Sequence, residues 1–151
     1  MTHPRWPLLA ALVAALHGCA ISTPLQRLQQ EGGPVTVVIT AGRLHTDQRA
    51  AFDRQTALVL HTLSAQPGLL AYTARRELWG DQVWTMTVWQ DPASLSRFLA
   101  APAHREAVAR SLPALQDMVS VRRQMPRADV PRDWPAALAL LRESPQRPYW
   151  E

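Results

Sequence analysis

The chain has no lysine, no asparagine and a single cysteine in 151 residues. One cysteine cannot close an internal disulfide or build a cysteine-based zinc cluster, which excludes disulfide scaffolds and zinc ribbons. No apolar run approaches the roughly 20 residues a helix needs to cross a bilayer. Glycine is scarce, and the one adjacent pair, Gly32-Gly33, precedes an extended β-branched run with no helix behind it, so a phosphate-cradling loop is missing. No G-x-S-x-G nucleophile elbow occurs. His45, His61 and His104 lack metal-ligand spacing, so no metal site is expected, and Asp47 and Asp53 are spaced for a helix surface. Nicotinamide, flavin and ATP binding by standard motifs, and nucleophilic catalysis, are therefore not expected.

The composition that remains is that of one globular domain, with 47% hydrophobic and 19% charged residues. The formal charge is +4, and every basic side chain among the 16 Lys+Arg is arginine. These arginines are scattered, with only Arg75-Arg76 and Arg122-Arg123 adjacent. Nucleic-acid binders concentrate basic charge in a stripe, so no nucleic-acid partner is expected.

The first residues read as an address. Arg5 supplies a positive flank, Leu8 to Leu16 is an apolar stretch of signal-peptide length, and Leu16, Gly18 and Cys19 follow in order. This run resembles the lipobox of bacterial lipoproteins. The resemblance implies a signal peptide over 1–18, acylation of Cys19 and a membrane contact through the lipid anchor. It further implies a cell-envelope location, on the periplasmic side of the outer membrane in a Gram-negative cell, because Ala20 and not Asp follows the cysteine. An ordinary signal peptide, with Cys19 a bystander, is the alternative. Loss of residues 1–18 removes Arg5 and lowers the formal charge to +3. Residues 19–33 read as a tether ended by Gly32-Gly33-Pro34.

The folded part reads as strand, helix, two strands, helix, strand. Val35 to Thr40 is a short β-branched strand. Thr46-Asp47 caps a helix to about Ala65 that carries Phe52, Thr56, Val59, Leu60 and Leu63 on one face. Pro67-Gly68 stops it, Leu69 to Glu77 has strand composition, Trp79-Gly80-Asp81 is a turn, and Gln82 to Trp89 is a strand. Asp91-Pro92 starts the next helix, with Leu95, Phe98 and Leu99 inward, and Pro102 restarts it with Ala103, Ala107, Val108 and Leu112 inward. Asp117 to Met125 is the last strand, and Asp133 caps a terminal helix with Trp134, Leu138 and Leu141. The fold class expected is α+β: a ferredoxin-like β-α-β-β-α-β unit over 34–126, with a C-terminal helix and tail over 127–151. On the third strand, Trp84, Met86 and Val88 face one way and Val83, Thr85, Thr87 and Trp89 the other. Two helices cover one sheet face. The other face is semi-apolar with no helix assigned to it, so a homodimer is expected in which two sheets close into a dimeric α/β barrel.

One constellation suggests chemistry: Trp84, Trp89, Asp91, Leu95, Phe98 and His104. The stretch WTMTVWQDPASLSRFLAAPAHREAV resembles the antibiotic-biosynthesis-monooxygenase-like group of the dimeric α/β-barrel superfamily, over roughly residues 35–125. The resemblance implies a pocket between the sheet and the two helices, and oxidation of a hydrophobic phenol or quinol by O₂ without metal, flavin or other cofactor. Such chemistry needs a pocket that holds the substrate anion and excludes water, so that the anion passes an electron directly to O₂. In that reading Tyr72, Trp84, Met86, Trp89 and Phe98 bind substrate, and His104 and Arg75 are the catalytic pair. His104 carries a proton and either group stabilises the oxyanion. The alternative is a non-catalytic, lipid-anchored dimeric module that binds an apolar ligand or a protein partner. Heme-degrading members of the superfamily use an Asn, a Trp and a His spaced as Trp89 is from Leu99. This chain has no Asn and no histidine at that place, so that motif is absent. Heme binding through His104 at a different spacing stays open.

Overall fold

The computed structural model describes residues 20–22 and 32–148. The proposed signal segment, Cys19 as the proposed lipid-attachment residue, and most of the proposed tether lie outside these residues. Four long strands form the sheet: β2 (Val35–Leu44), β3 (Leu69–Glu77), β4 (Gln82–Trp89) and β5 (Leu115–Met125). Two short edge strands, β1 (Ala20–Ser22) and β6 (Arg147–Pro148), extend it to the order β1-β3-β4-β2-β5-β6, antiparallel throughout. The four long strands, with a helix in each crossover, make the expected ferredoxin-like unit. Part of the stretch read as a tether is therefore sheet: Ala20 to Ser22 pair with Glu77 to Arg75.

β2 is hydrogen-bonded to β4 on one side and β5 on the other. Val35, Val37 and Ile39 are buried on one face, and Thr36, Thr40 and Leu44 on the other. This double burial explains its unbroken β-branched start, which alternates in no polar pattern.

The helices follow their start signals. α1 (Arg49–Leu63) is preceded by a single 3₁₀ turn over Thr46–Gln48, so Thr46 and Asp47 lie in the turn and no side chain caps the helix. α2 (Pro92–Ala100) is capped by the Asp91 carboxylate, which accepts from the Ser94 N–H at 2.6 Å, and this bond holds the Asp91 pKa below its ordinary value. α3 (Pro102–Ser111) starts at a proline that needs no N–H partner. α4 (Trp134–Glu143) is capped by Asp133, which accepts from Ala136 N–H at 2.9 Å.

The chain packs in three layers. α1, α2 and α3 cover one sheet face, where Leu44, Phe52, Val83 and Ala114 form one cluster and Leu63, Trp89 and Leu95 another. The opposite face is not left open, contrary to the expectation. Val37, Ile39, Ala71, Met86, Val88 and Val121 pack there with Val130, Ala137 and Leu141, which belong to α4 and the segment before it. Complete burial of an aliphatic side chain contributes about 1.5–3 kcal/mol. Docking Val130 and Leu141 alone is thus comparable with a sizeable part of a domain's net stability. The expectation missed this because it assigned only two helical segments to the sheet and treated the terminal helix as an appendage.

Gly68, which links α1 to β3, has φ +82°, and a Cβ there would collide with the Ser94 side chain. Its carbonyl accepts from the Gln90 N–H at 2.7 Å, which joins this turn to the start of α2. Gly68→Ala is expected to lower stability by more than about 1 kcal/mol, through backbone strain and the displaced serine. Urea unfolding of the variant against the parent measures it, and an unchanged midpoint would contradict the role given to this turn.

Candidate functional site

A cavity of about 440 Å³ lies between the sheet and α1, α2 and α3, a size that suits a small-molecule ligand. Its floor is a grid set by strand register. One row runs Tyr72, Thr87, Val38, Arg122; the next Ala74, Thr85, Thr40, Ser120; the third Arg76, Val83, Gly42, Met118. Side chains of one face repeat every second residue, so these rows share the helix side of the sheet. The middle row carries three hydroxyls and no large side chain. Small residues there leave the space that larger ones would fill.

The roof is apolar. Phe52, Thr56, Val59, Leu60 and Leu63 of α1 face the cavity, as do Leu95, Phe98 and Leu99 of α2, and Ala107 and Val108 of α3. The inward face expected for α1 is therefore the face that lines the cavity. Leu112 also lines it, whereas Ala103 is exposed.

His104, in the first turn of α3, stands in the cavity wall with its ring 4.2 Å from that of Phe98. Phe98 in turn lies 5.0 Å from Trp89. Trp89 is fully buried behind this contact and does not line the cavity, and its indole N–H donates to the Thr87 hydroxyl at 2.9 Å. Trp89 thus backs Phe98, which positions His104. Burial pushes the His104 pKa below its ordinary value, because a low-polarity surround penalises the charged imidazolium. At neutral pH the imidazole is uncharged and able to accept a proton.

Among the other expected site residues, Tyr72 lines the cavity and packs toward the Leu63, Trp89 and Leu95 cluster. Met86 requires correction. Met86 is buried in the core on the α4 side, away from the cavity. Trp84 and Arg75 contribute atoms to the cavity wall, but Trp84 packs against that same opposite core and the Arg75 guanidinium lies over its ring at 5.3 Å. The alternation in Gln82 to Trp89 was read correctly, but the face that meets the helices is the one with Val83, Thr85 and Thr87. Arg76, not Arg75, points to the helix side, where its guanidinium lies 3.9 Å from Asp53 of α1. The residues that sequence reasoning missed are Thr40, Thr85, Thr87 and Ser120. The alternation put Thr85 and Thr87 on one face, but only the register of β2 and β5 brings Thr40 and Ser120 beside them.

Among the described residues no three of His, Cys, Asp and Glu gather to hold a metal ion, and no helix is long and apolar enough to cross a membrane. The depressed His104 pKa carries a pH signature. Above about pH 6.5 both folded and unfolded chains hold a neutral imidazole. Below it the unfolded chain takes up the proton first, so stability contributed by this site is lost as pH falls toward the folded value. Chemical denaturation at pH 7 and pH 5 is expected to show a larger acid loss in the parent than in His104→Gln. Equal losses would refute the half-buried, neutral histidine.

The fold has counterparts among solved structures. The structure of Rv0793 from Mycobacterium tuberculosis superposes with a TM-score of 0.55 at 14% identity, covering 59% of this chain and 92% of that one. SnoaB from Streptomyces nogalater, a cofactor-independent oxygenase, gives 0.52 at 19% identity, covering 62% and 92%. A protein from Lactobacillus acidophilus NCFM gives 0.55 at 10% identity, covering 72% of this chain and 51% of that one, so the chain spans about half its length. At these identities the likeness concerns the fold. No match is found among curated proteins. The family model for antibiotic biosynthesis monooxygenase matches residues 34–110, which reach from the start of β2 through α3 and hold most of the cavity. The match takes in just over half of the chain, which therefore belongs to the antibiotic biosynthesis monooxygenase family.

Proposed function

We propose that the cavity binds a hydrophobic, ring-bearing phenol or quinol and that the chain acts on it as a cofactor-independent monooxygenase-like protein. The observation that carries this reading is the pairing of an apolar roof with a hydroxyl-bearing floor, with His104 in the wall. A flat ring packs against Phe98 and the aliphatic roof while its oxygens meet Thr40, Thr85 and Ser120. A neutral His104 accepts the phenolic proton, and the anion left behind is the species that passes an electron to O₂. Family membership supports the reaction class, and the cofactor-independent oxygenase SnoaB shares the fold.

Oxygen uptake with alkyl-substituted hydroquinones, alongside ligand binding by calorimetry, tests it. His104→Ala is expected to lower turnover about 10²–10⁴-fold, the usual range for a general base, while ligand affinity changes little. Unchanged uptake removes His104 from the reaction. Binding without any uptake selects the second reading, a non-catalytic module. One observation favours that alternative: the guanidinium of Arg75, expected to steady the oxyanion, lies 5.3 Å over the Trp84 ring.

Two further parts of the reading concern assembly and place. The lipobox-like run ending at Cys19 supports a lipid-anchored protein of the cell envelope. Family membership supports a homodimer, but α4 fills much of the face on which two sheets were expected to close. The dimer proposed here therefore includes α4 in its interface. Trp134, Leu138 and Leu140 keep part of their apolar surface exposed after α4 has docked. Native mass spectrometry at micromolar concentration is expected to show a dimer that Leu140→Glu dissociates. A parent monomer would overturn this arrangement.

A further inference from the structure

We propose that the end of the sheet carrying Trp79 and Leu112 is seated on the lipid bilayer, with the Trp79 ring at the headgroup level. The proposal rests on the lipoprotein reading of Cys19.

Chain connectivity supplies the position. Ala20, the residue after Cys19, pairs with Glu77 at the end of β3, two residues before Trp79. The described chain therefore enters the sheet beside this hairpin, at the residue that follows the proposed anchor. Pairing of 20–22 with β3 takes up the slack that a free tether would give the domain. It thereby decides which end of the molecule meets the membrane.

The side chains at that end suit such a neighbour. Trp79 is 85% exposed, although the other tryptophans with described burial are at least half-buried. Its display is not the accident of a loose loop. Arg49 Nη1 donates to the carbonyls of Glu77 at 3.0 Å and Leu78 at 2.8 Å, and the Gln82 N–H donates to Glu77 Oε2 at 3.4 Å. The Glu77 carboxylate occupies the space beside Gly80 that a Cβ would take, so the side chain folds back over the turn. Indole pairs an apolar body with an N–H donor and is favoured where hydrocarbon meets water.

A second exposed apolar residue lies at the same end. Leu44 N–H donates to the Asp81 carbonyl and His45 N–H to that of Ala114, both at 2.9 Å. These bonds join the Trp79 hairpin to the turn holding Leu112, which is 39% exposed and also lines the cavity. The cavity wall therefore reaches the proposed membrane-facing end, where a lipophilic ligand dissolved in the bilayer has a short way in.

Charge narrows the partner. Among the described residues near this end, Asp47, Asp53, Glu77, Asp81, Glu106 and Asp117 stand with Arg43, Arg49, Arg75, Arg76 and Arg110, so acidic and basic side chains are close to balanced. The surface fits a neutral bilayer held by the acyl chains and the indole, and not a polyanion.

The test uses the full chain matured in a lipoprotein-processing host and reconstituted into phosphatidylcholine vesicles whose acyl chains carry bromine near the headgroup. Bromine quenches only tryptophans in contact with the lipid. Most of the quenching is expected to vanish in Trp79→Phe, and the parent signal is expected to be unchanged when phosphatidylglycerol is added. Equal quenching in parent and Trp79→Phe overturns the proposal, as does quenching that appears only with anionic lipid. Intact mass separates the two levels of the argument. An unmodified Cys19 defeats the anchor and this seating together, whereas acylated Cys19 with no Trp79 quenching defeats the seating alone. Protection of Trp79 by a co-purifying protein and not by vesicles assigns the patch to a protein and also overturns it.

Discussion

The structure depends on β2 being a strand with no free side. It is bonded along its length to β4 and β5, and both of its faces are buried. A strand in that position commits the molecule to two separate cores, one on each face of the sheet. Each core needs its own cover, and the chain provides α1, α2 and α3 for one and α4 for the other. Removal of α4 leaves Val37, Ile39, Val88 and Val121 in water, at about 25 cal/mol for each Å² exposed.

The two covers differ in how completely they fill the space beneath them. Under α4 the sheet presents Val, Ile, Met and Val, and the packing closes. Under the other helices the central strands present Thr, Gly, Ala and Ser, and the packing leaves a cavity. The same alternation of side chains therefore produces a solid core on one face and a binding site on the other. His104 belongs to the second face because Trp89 and Phe98 stack outward from the sheet toward the start of α3. Its depressed pKa follows from the low polarity that the roof imposes.

Much of this was legible in the residues. Asp91-Pro92 and Asp133 mark helix starts because a short acid satisfies N–H groups that no backbone carbonyl reaches, and both cap as expected. Val35 to Thr40 and Gln82 to Trp89 are β-branched and aromatic enough to be read as strands at once. Phe98, Tyr72 and His104 were placed in the site, and they line it. Arg75 and Trp84 were placed there too and contribute only part of its wall, whereas Trp89 is buried behind Phe98 and Met86 lies in the other core. Alternation assigns residues to faces, but it does not label the face, because both faces of this sheet carry apolar side chains.

By itself, then, the sequence determined the local features: the strands, the helix starts, the breaks at Pro67-Gly68 and Pro102, and the order that makes a ferredoxin-like unit. These follow from interactions among neighbours a few residues apart. Only the tertiary structure decided which sheet face holds the cavity, that Thr40, Thr85 and Ser120 form one row, and that α4 closes the opposite face. It also decided that Ala20 to Ser22 join the sheet beside the Trp79 hairpin. Each of these depends on strand register or on docking across tens of residues, where the free energy lies in contacts that no local pattern encodes.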